Sequence, residues 1–145
     1  MDKKLQDKLF KKYPKLFEQR KLPMTQTCMC WGIETNGKGW YKLLETLCAS
    51  LQWDTDHNDY PQIVFTQVKE KYGGLRAYYT WAESKKEYPQ EKYATQEGMI
   101  SLAEHLSETI CEECGSMADV LQTKGWIVTL CPIHMKAYKK KRGIK

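Results

Sequence analysis

The spacing Cys111-x2-Cys114, then a sixteen-residue gap, then Cys131-x2-His134 constrains this chain more than any other feature. Two ligands separated by two residues turn inward from one tight knuckle, and a second pair must arrive from another element to complete a tetrahedron. Thiolate and imidazole donors favour zinc over magnesium or calcium, which seek harder oxygen ligands. Between the pairs, Ala118–Gln122 and Trp126–Leu130 flank a Thr123, Lys124, Gly125 turn, as in a short hairpin. Pro132 and the run Ile133–Lys141 then predict a helix with His134 in its first turn. Knuckle, hairpin and ligand-bearing helix resemble the treble-clef class of zinc module. Four protein ligands close the shell and leave no position for an activated water, so the zinc is expected to be structural.

Upstream, the hydrophobic pattern predicts an α+β body over residues 1–110, with a zinc module and basic tail over 111–145, together forming one compact unit. Leu5, Leu9, Tyr13, Leu16 and Phe17 recur near helical intervals, and Pro14 ends that basic helix near Lys12. Thr25–Ile33 reads as a short strand. Trp40, Leu43, Leu44, Leu47, Cys48 and Leu51 form one face of an amphipathic helix, and Asp54–Asp59 reads as an acidic loop. Alternation over Ile63–Val68 and Leu75–Trp81, with Gly73 and Gly74 between, predicts a hairpin in a small antiparallel sheet. Glu83–Pro89 reads as a loop, and Met99, Leu102, Ala103, Leu106 and Ile110 mark a second amphipathic helix.

Charge is unevenly placed. The net charge of +5 divides into basic ends and an acidic body, with residues 1–21 at +5, 136–145 at +6 and 22–135 at −6. A wholly positive nucleic-acid face is therefore not expected, although Lys139–Arg142 could either attract an anionic partner or simply solvate the end. No apolar run approaches the roughly 20 residues of a membrane span, and the opening residues lack a secretory pattern. With three of six cysteines assigned to the metal, Cys28, Cys30 and Cys48 remain an odd set, which fits a soluble protein in a reducing cytosol. These three read as small buried hydrophobes. On a strand, Cys28 and Cys30 would share one face and could approach His57 or His105.

Several chemistries fail on the residues. Counting from Asp54, a calcium loop would need Gly where Asp59 stands and Glu where Phe65 stands. A His-Asn-His nuclease would need a histidine near the hairpin, yet Ser116–Leu130 contains none. Asp59, Gln67 and Lys69 only loosely match a second metal-dependent nuclease arrangement. The better candidate surface is the central hairpin, where Lys69, Lys71, Tyr72, Arg76 and Tyr78 combine cations for phosphates with aromatic faces for bases. Trp40, at the start of its helix, is added to that set. Tyr79 and Trp81, with Leu75 and Ala77, share the opposite strand face and are expected to pack inward.

Cys28-Met-Cys-Trp-Gly32, Gly37-Lys-Gly-Trp40, Val68-Lys-Glu-Lys-Tyr-Gly-Gly-Leu-Arg76, Cys111-Glu-Glu-Cys-Gly115 and Gly125-Trp126 occur in that order. The series resembles a family of small tailed-phage and prophage proteins of undefined role, over about Tyr13 to His134. The resemblance implies a viral accessory protein in a bacterial cytoplasm and carries over no active site. It suggests a protein that counters host defence by binding a nucleotide signal, a nucleic acid or a host protein. Three expectations follow: a non-enzymatic binder of a phosphate-bearing ligand, a protein–protein inhibitor of a host defence enzyme, or a metal-dependent nuclease.

Overall fold

The computed structural model describes residues 1–144. Helix α1 (Lys3–Lys12) begins where the Asp2 carboxylate accepts the backbone N–H of Lys4 and stops ahead of Pro14. Its basic label understates its role. Leu9, Leu16 and Phe17 from this region have no exposed surface, and Phe17 packs 5.0 Å from Phe10 and 5.3 Å from Phe65 between ring centroids. The charged face stays in water while the apolar stripe enters the main core.

The expected strand over Thr25–Ile33 does not form. Thr27 instead accepts the Met29 N–H on its hydroxyl and donates to the Thr66 carbonyl, turning the chain into a short 3-10 segment (Met29–Trp31). Only β1 (Ile33–Glu34) is extended, after Gly32 at φ +81°. Cys28 and Cys30 therefore do not share a strand face. Cys28 is exposed, Cys30 half-buried, and only Cys48 is the buried hydrophobe that was expected of all three.

Helix α2 (Tyr41–His57) buries Leu44, Leu47, Cys48 and Leu51 and takes in Asp54 to His57 of the expected acidic loop, leaving only Asn58 and Asp59 outside it. Its last turn holds because Asn58 Nδ2 bonds Asp54 at 2.8 Å and the His57 ring stacks on Trp53 at 3.8 Å, both pairs four residues apart. Asp59, at φ +59°, then reverses the chain.

Strands β2 (Ile63–Lys71) and β3 (Gly74–Trp81) form the hairpin, with an irregular register between Phe65 and Gln67. The turn is Tyr72–Gly73, at φ +55° and +74°, while Gly74 already pairs with Lys71. Both central residues thus carry the positive φ of a type I′ turn. Strand β1 joins β2 in parallel, so the sheet is mixed, in order β1-β2-β3, rather than purely antiparallel.

Helix α3 (Gln90–Ser107) covers both a face and the open edge of that sheet. Leu75 N–H donates to Ser107 Oγ at 2.7 Å and Ala77 N–H to Glu104 Oε1 at 2.8 Å. Helix side chains therefore take the hydrogen bonds that a further strand would have taken, which blunts the edge. Gln96, fully buried, accepts from Trp81 Nε1 at 2.9 Å and donates to the Pro61 carbonyl at 2.7 Å. Leu75 and Ala77 are buried and Tyr79 and Trp81 half-buried on that side, as the strand pattern predicted. The α+β class is the observed one, with four α-helices among the described residues.

Candidate metal centre

After α3 the chain enters the knuckle Cys111–Gly115. Gly115 N–H closes it on the Cys111 carbonyl at 2.9 Å, and Gly115 takes φ +83°. Strands β4 (Leu121–Gln122) and β5 (Thr129–Leu130) form an antiparallel pair much shorter than the alternating segments suggested. Cys131 caps α4 (Pro132–Arg142), Pro132 occupies the first turn, and His134 lies in that turn as expected. Lys139–Arg142 therefore end a helix rather than forming a free tail, and Gly143 stops it at φ +65°.

The four side chains converge. All ligand atoms lie within 4.8 Å of one another. Cys114 and Cys131 Sγ are 3.9 Å apart, and His134 Nδ1 is 3.6 Å from Cys111 Sγ and 3.2 Å from Cys131 Sγ. A tetrahedron with Zn–S of about 2.3 Å and Zn–N of about 2.0–2.1 Å has S–S edges near 3.8 Å and S–N edges near 3.6 Å, so the set is of metal-binding size. Backbone and imidazole hydrogen bonds from His134 hold the Cys131 thiol down at about 6, favouring the thiolate that a metal needs. Among the described residues there is no second Cys, His, Asp or Glu group of this kind.

A shell of backbone contacts fixes the knuckle. Glu112, 1% exposed, donates its backbone N–H to the Thr129 carbonyl at 2.9 Å and accepts the Thr129 N–H on Oε1 at 2.8 Å, while Oε2 accepts Asn36 Nδ2 at 2.8 Å. Burial pushes this carboxyl above its ordinary range, and the Asn36 and Thr129 bonds partly offset that. From the body, Gly39 N–H donates to the Glu112 carbonyl at 2.7 Å. The hairpin turn also reaches this module, with the Gly73 carbonyl accepting the Thr129 hydroxyl at 2.5 Å. Asn36, Gly39, Glu112 and Thr129 escaped sequence reasoning, although the Gly37-x-Gly39 pair beside a tryptophan was a usable signal of close backbone approach.

Trp40 does not belong to the hairpin surface. It is 1% exposed, and its Nε1 donates to the carbonyls of Ser107 and Ile110, both at 3.1 Å. The indole thus satisfies carbonyls at the end of α3, one residue before the first ligand.

Of the other surface candidates, Lys69 and Arg76 lie directly opposite across β2–β3. Lys69 Nζ sits 5.4 Å from the Tyr78 ring centroid and Lys71 Nζ 5.3 Å from that of Tyr72, with Tyr78 43% and Tyr72 69% exposed. Arg76 is partly committed, to Glu108 at 3.5 Å and to the Leu75 carbonyl. Asp59, Gln67 and Lys69, the residues of the nuclease reading, each have other partners, with Lys69 over the Tyr78 ring. Asp59 pairs with Lys86 at 2.5 Å and Lys92 at 3.6 Å, whereas Gln67 bonds Glu34.

No protein family, curated protein or solved structure matches this chain. Among the described residues no helix is long and apolar enough to cross a membrane.

Proposed function

We propose that this protein is a non-enzymatic binding protein in which a zinc-loaded, treble-clef-like module anchors a cationic, aromatic hairpin that captures a phosphate-bearing ligand. Zinc fits the donor set, since three thiols and one imidazole at tetrahedral spacing suit a borderline-soft ion. Its role is structural because four protein ligands fill the shell. In the phage setting that the sequence resemblance implies, the ligand would be a nucleotide immune signal or a nucleic acid in a bacterial cytoplasm, and binding it would counter host defence.

The observation that carries this reading is the hairpin's outer surface, where Lys69 and Lys71 lie over the rings of exposed Tyr78 and Tyr72. A base can stack on either ring while the displaced ammonium pairs with phosphate. Titration of the metal-loaded protein with nucleotides, single-stranded RNA and DNA over a salt series tests it. Binding should weaken with salt, and Lys69→Ala or Lys71→Ala should each lower the salt slope by about one. No binding to any of these probes sinks the reading.

One observation favours a protein partner as the second reading. Leu102, 59% exposed, and Leu106 border an apolar groove between α2 and α3 with Leu43, Leu47 and Met99. On a body of net charge −6, such a groove suits docking against a host enzyme.

A further inference from the structure

A cavity of about 420 Å³ opens where the Asn36–Gly37 loop, the metal knuckle, the β4–β5 hairpin and the last turns of α4 meet. Its size lies within the range of about 300–1,000 Å³ typical of small-ligand sites. The lining is chemically mixed. Trp126 and Tyr138 supply aromatic faces, Lys141 and Arg142 supply cations, and Glu113 adds an acceptor beside Glu112, whose carboxylate is already held by Asn36 and Thr129.

The aromatic wall is built rather than accidental. Thr123 donates its hydroxyl to the Trp126 carbonyl at 2.6 Å and accepts the Val128 N–H at 2.9 Å, so the turn that presents Trp126 is pinned on both sides. Trp126 remains 66% exposed while Val128, two residues on, is buried. Opposite, the Arg142 guanidinium lies 5.0 Å from the Tyr138 ring centroid, which orients it by cation–π attraction. Lys139 to Arg142 outweigh the roughly half negative charge of the helix C-terminus. Glu113 disfavours a second phosphate but can accept a base amino group.

We propose that this cavity is a nucleotide subsite, with the base stacked on Trp126 and the phosphate paired with Arg142 and Lys141. It rests on the phosphate-ligand reading above and places a base-recognition point in the zinc module. The nucleotide is either free or one unit of a single strand, and the two sources are separable by experiment.

Calorimetry of the full, metal-loaded chain with GMP, AMP and a short single-stranded RNA reads the outcome. Stacking worth about 1–3 kcal/mol per base means that Trp126→Ala should weaken binding about 5- to 160-fold, while Trp126→Phe retains most of it. Arg142→Ala with Lys141→Ala should weaken it comparably, and serves as the deciding variant if Trp126→Ala loses its metal. Binding of GMP or AMP assigns a free nucleotide, and binding of RNA alone assigns a strand. Wild-type affinity in both the Trp126→Ala and the paired cation variants overturns the subsite. If Lys69→Ala and Lys71→Ala abolish that same binding, the hairpin reading survives without it. Failure of the unsubstituted protein to bind any probe overturns both.

Discussion

Gly39 donates its backbone N–H to the carbonyl of Glu112 at 2.7 Å, so the loop that starts α2 lies directly on the metal knuckle. A Cβ at position 39 would run into the carbonyl oxygen of Cys111 and come within 2.6 Å of that of Glu112. Neither obstacle is a movable side-chain end.

Gly39→Ala should therefore destabilise the protein by about 2–3 kcal/mol, in the range of overpacking in a tight site. Gly98, inside α3 with nothing near its would-be Cβ, is the matched control. Gly98→Ala should stabilise by about 0.5–1 kcal/mol, because alanine loses less backbone freedom in a helix. Urea denaturation of both variants checks the opposite signs.

Purified protein should carry about one equivalent of zinc, and its removal should unfold at least residues 111–142, because four protein ligands make binding and folding one process. Cys114→Ser should lower both metal content and thermal midpoint. Metal analysis with circular dichroism decides the matter, and an unchanged fold after chelation would refute the structural role.

Trp40→Phe should keep an aromatic ring in the core yet leave a small void and deprive the Ser107 and Ile110 carbonyls of the indole donor, at a cost of about 1–3 kcal/mol. Ser107→Ala should cost a similar amount, about 1–3 kcal/mol, by orphaning the Leu75 N–H at the sheet edge. Because Ile110 precedes a ligand, Trp40→Phe should also weaken metal retention in a chelator competition. Ser107→Ala acts on the sheet edge and should affect the competition less.

Burial pushes the Cys48 thiol far above its ordinary range. The folded state then holds the proton after the unfolded chain has released it. Its contribution is fully present below the ordinary thiol range and is lost as pH rises, by at most about 1.4 kcal/mol per unit above about 8.5. Cys48→Ala should flatten the alkaline stability slope measured by denaturation at several pH values. In native labelling with iodoacetamide, exposed Cys28 should react while Cys48 stays protected until unfolding.

The Cys/His cluster was legible because its spacing is a local chemical pattern, and α3 and α4 because apolar periodicity, proline and glycine mark helices within a short window. The hairpin was legible for the same reason, except that a left-handed Tyr72 shifted its turn by one residue. Other misses arose where distant groups competed with local preference. Thr27 found the Thr66 carbonyl and bent an expected strand, and the bonds of Asn58 and Thr55 carried α2 through residues that looked like a loop.

The sequence by itself determined that three cysteines and a histidine could form one tetrahedral set, and that a cationic, aromatic hairpin would sit in an acidic body. Only the tertiary structure decided that Trp40 is a buried strut, that the Gly37-Lys-Gly-Trp40 loop seats the knuckle, and that Trp126 and Arg142 line a common cavity. Ligand spacing is written in neighbouring residues, whereas these relationships join segments far apart in the chain through backbone groups that carry no sequence signature.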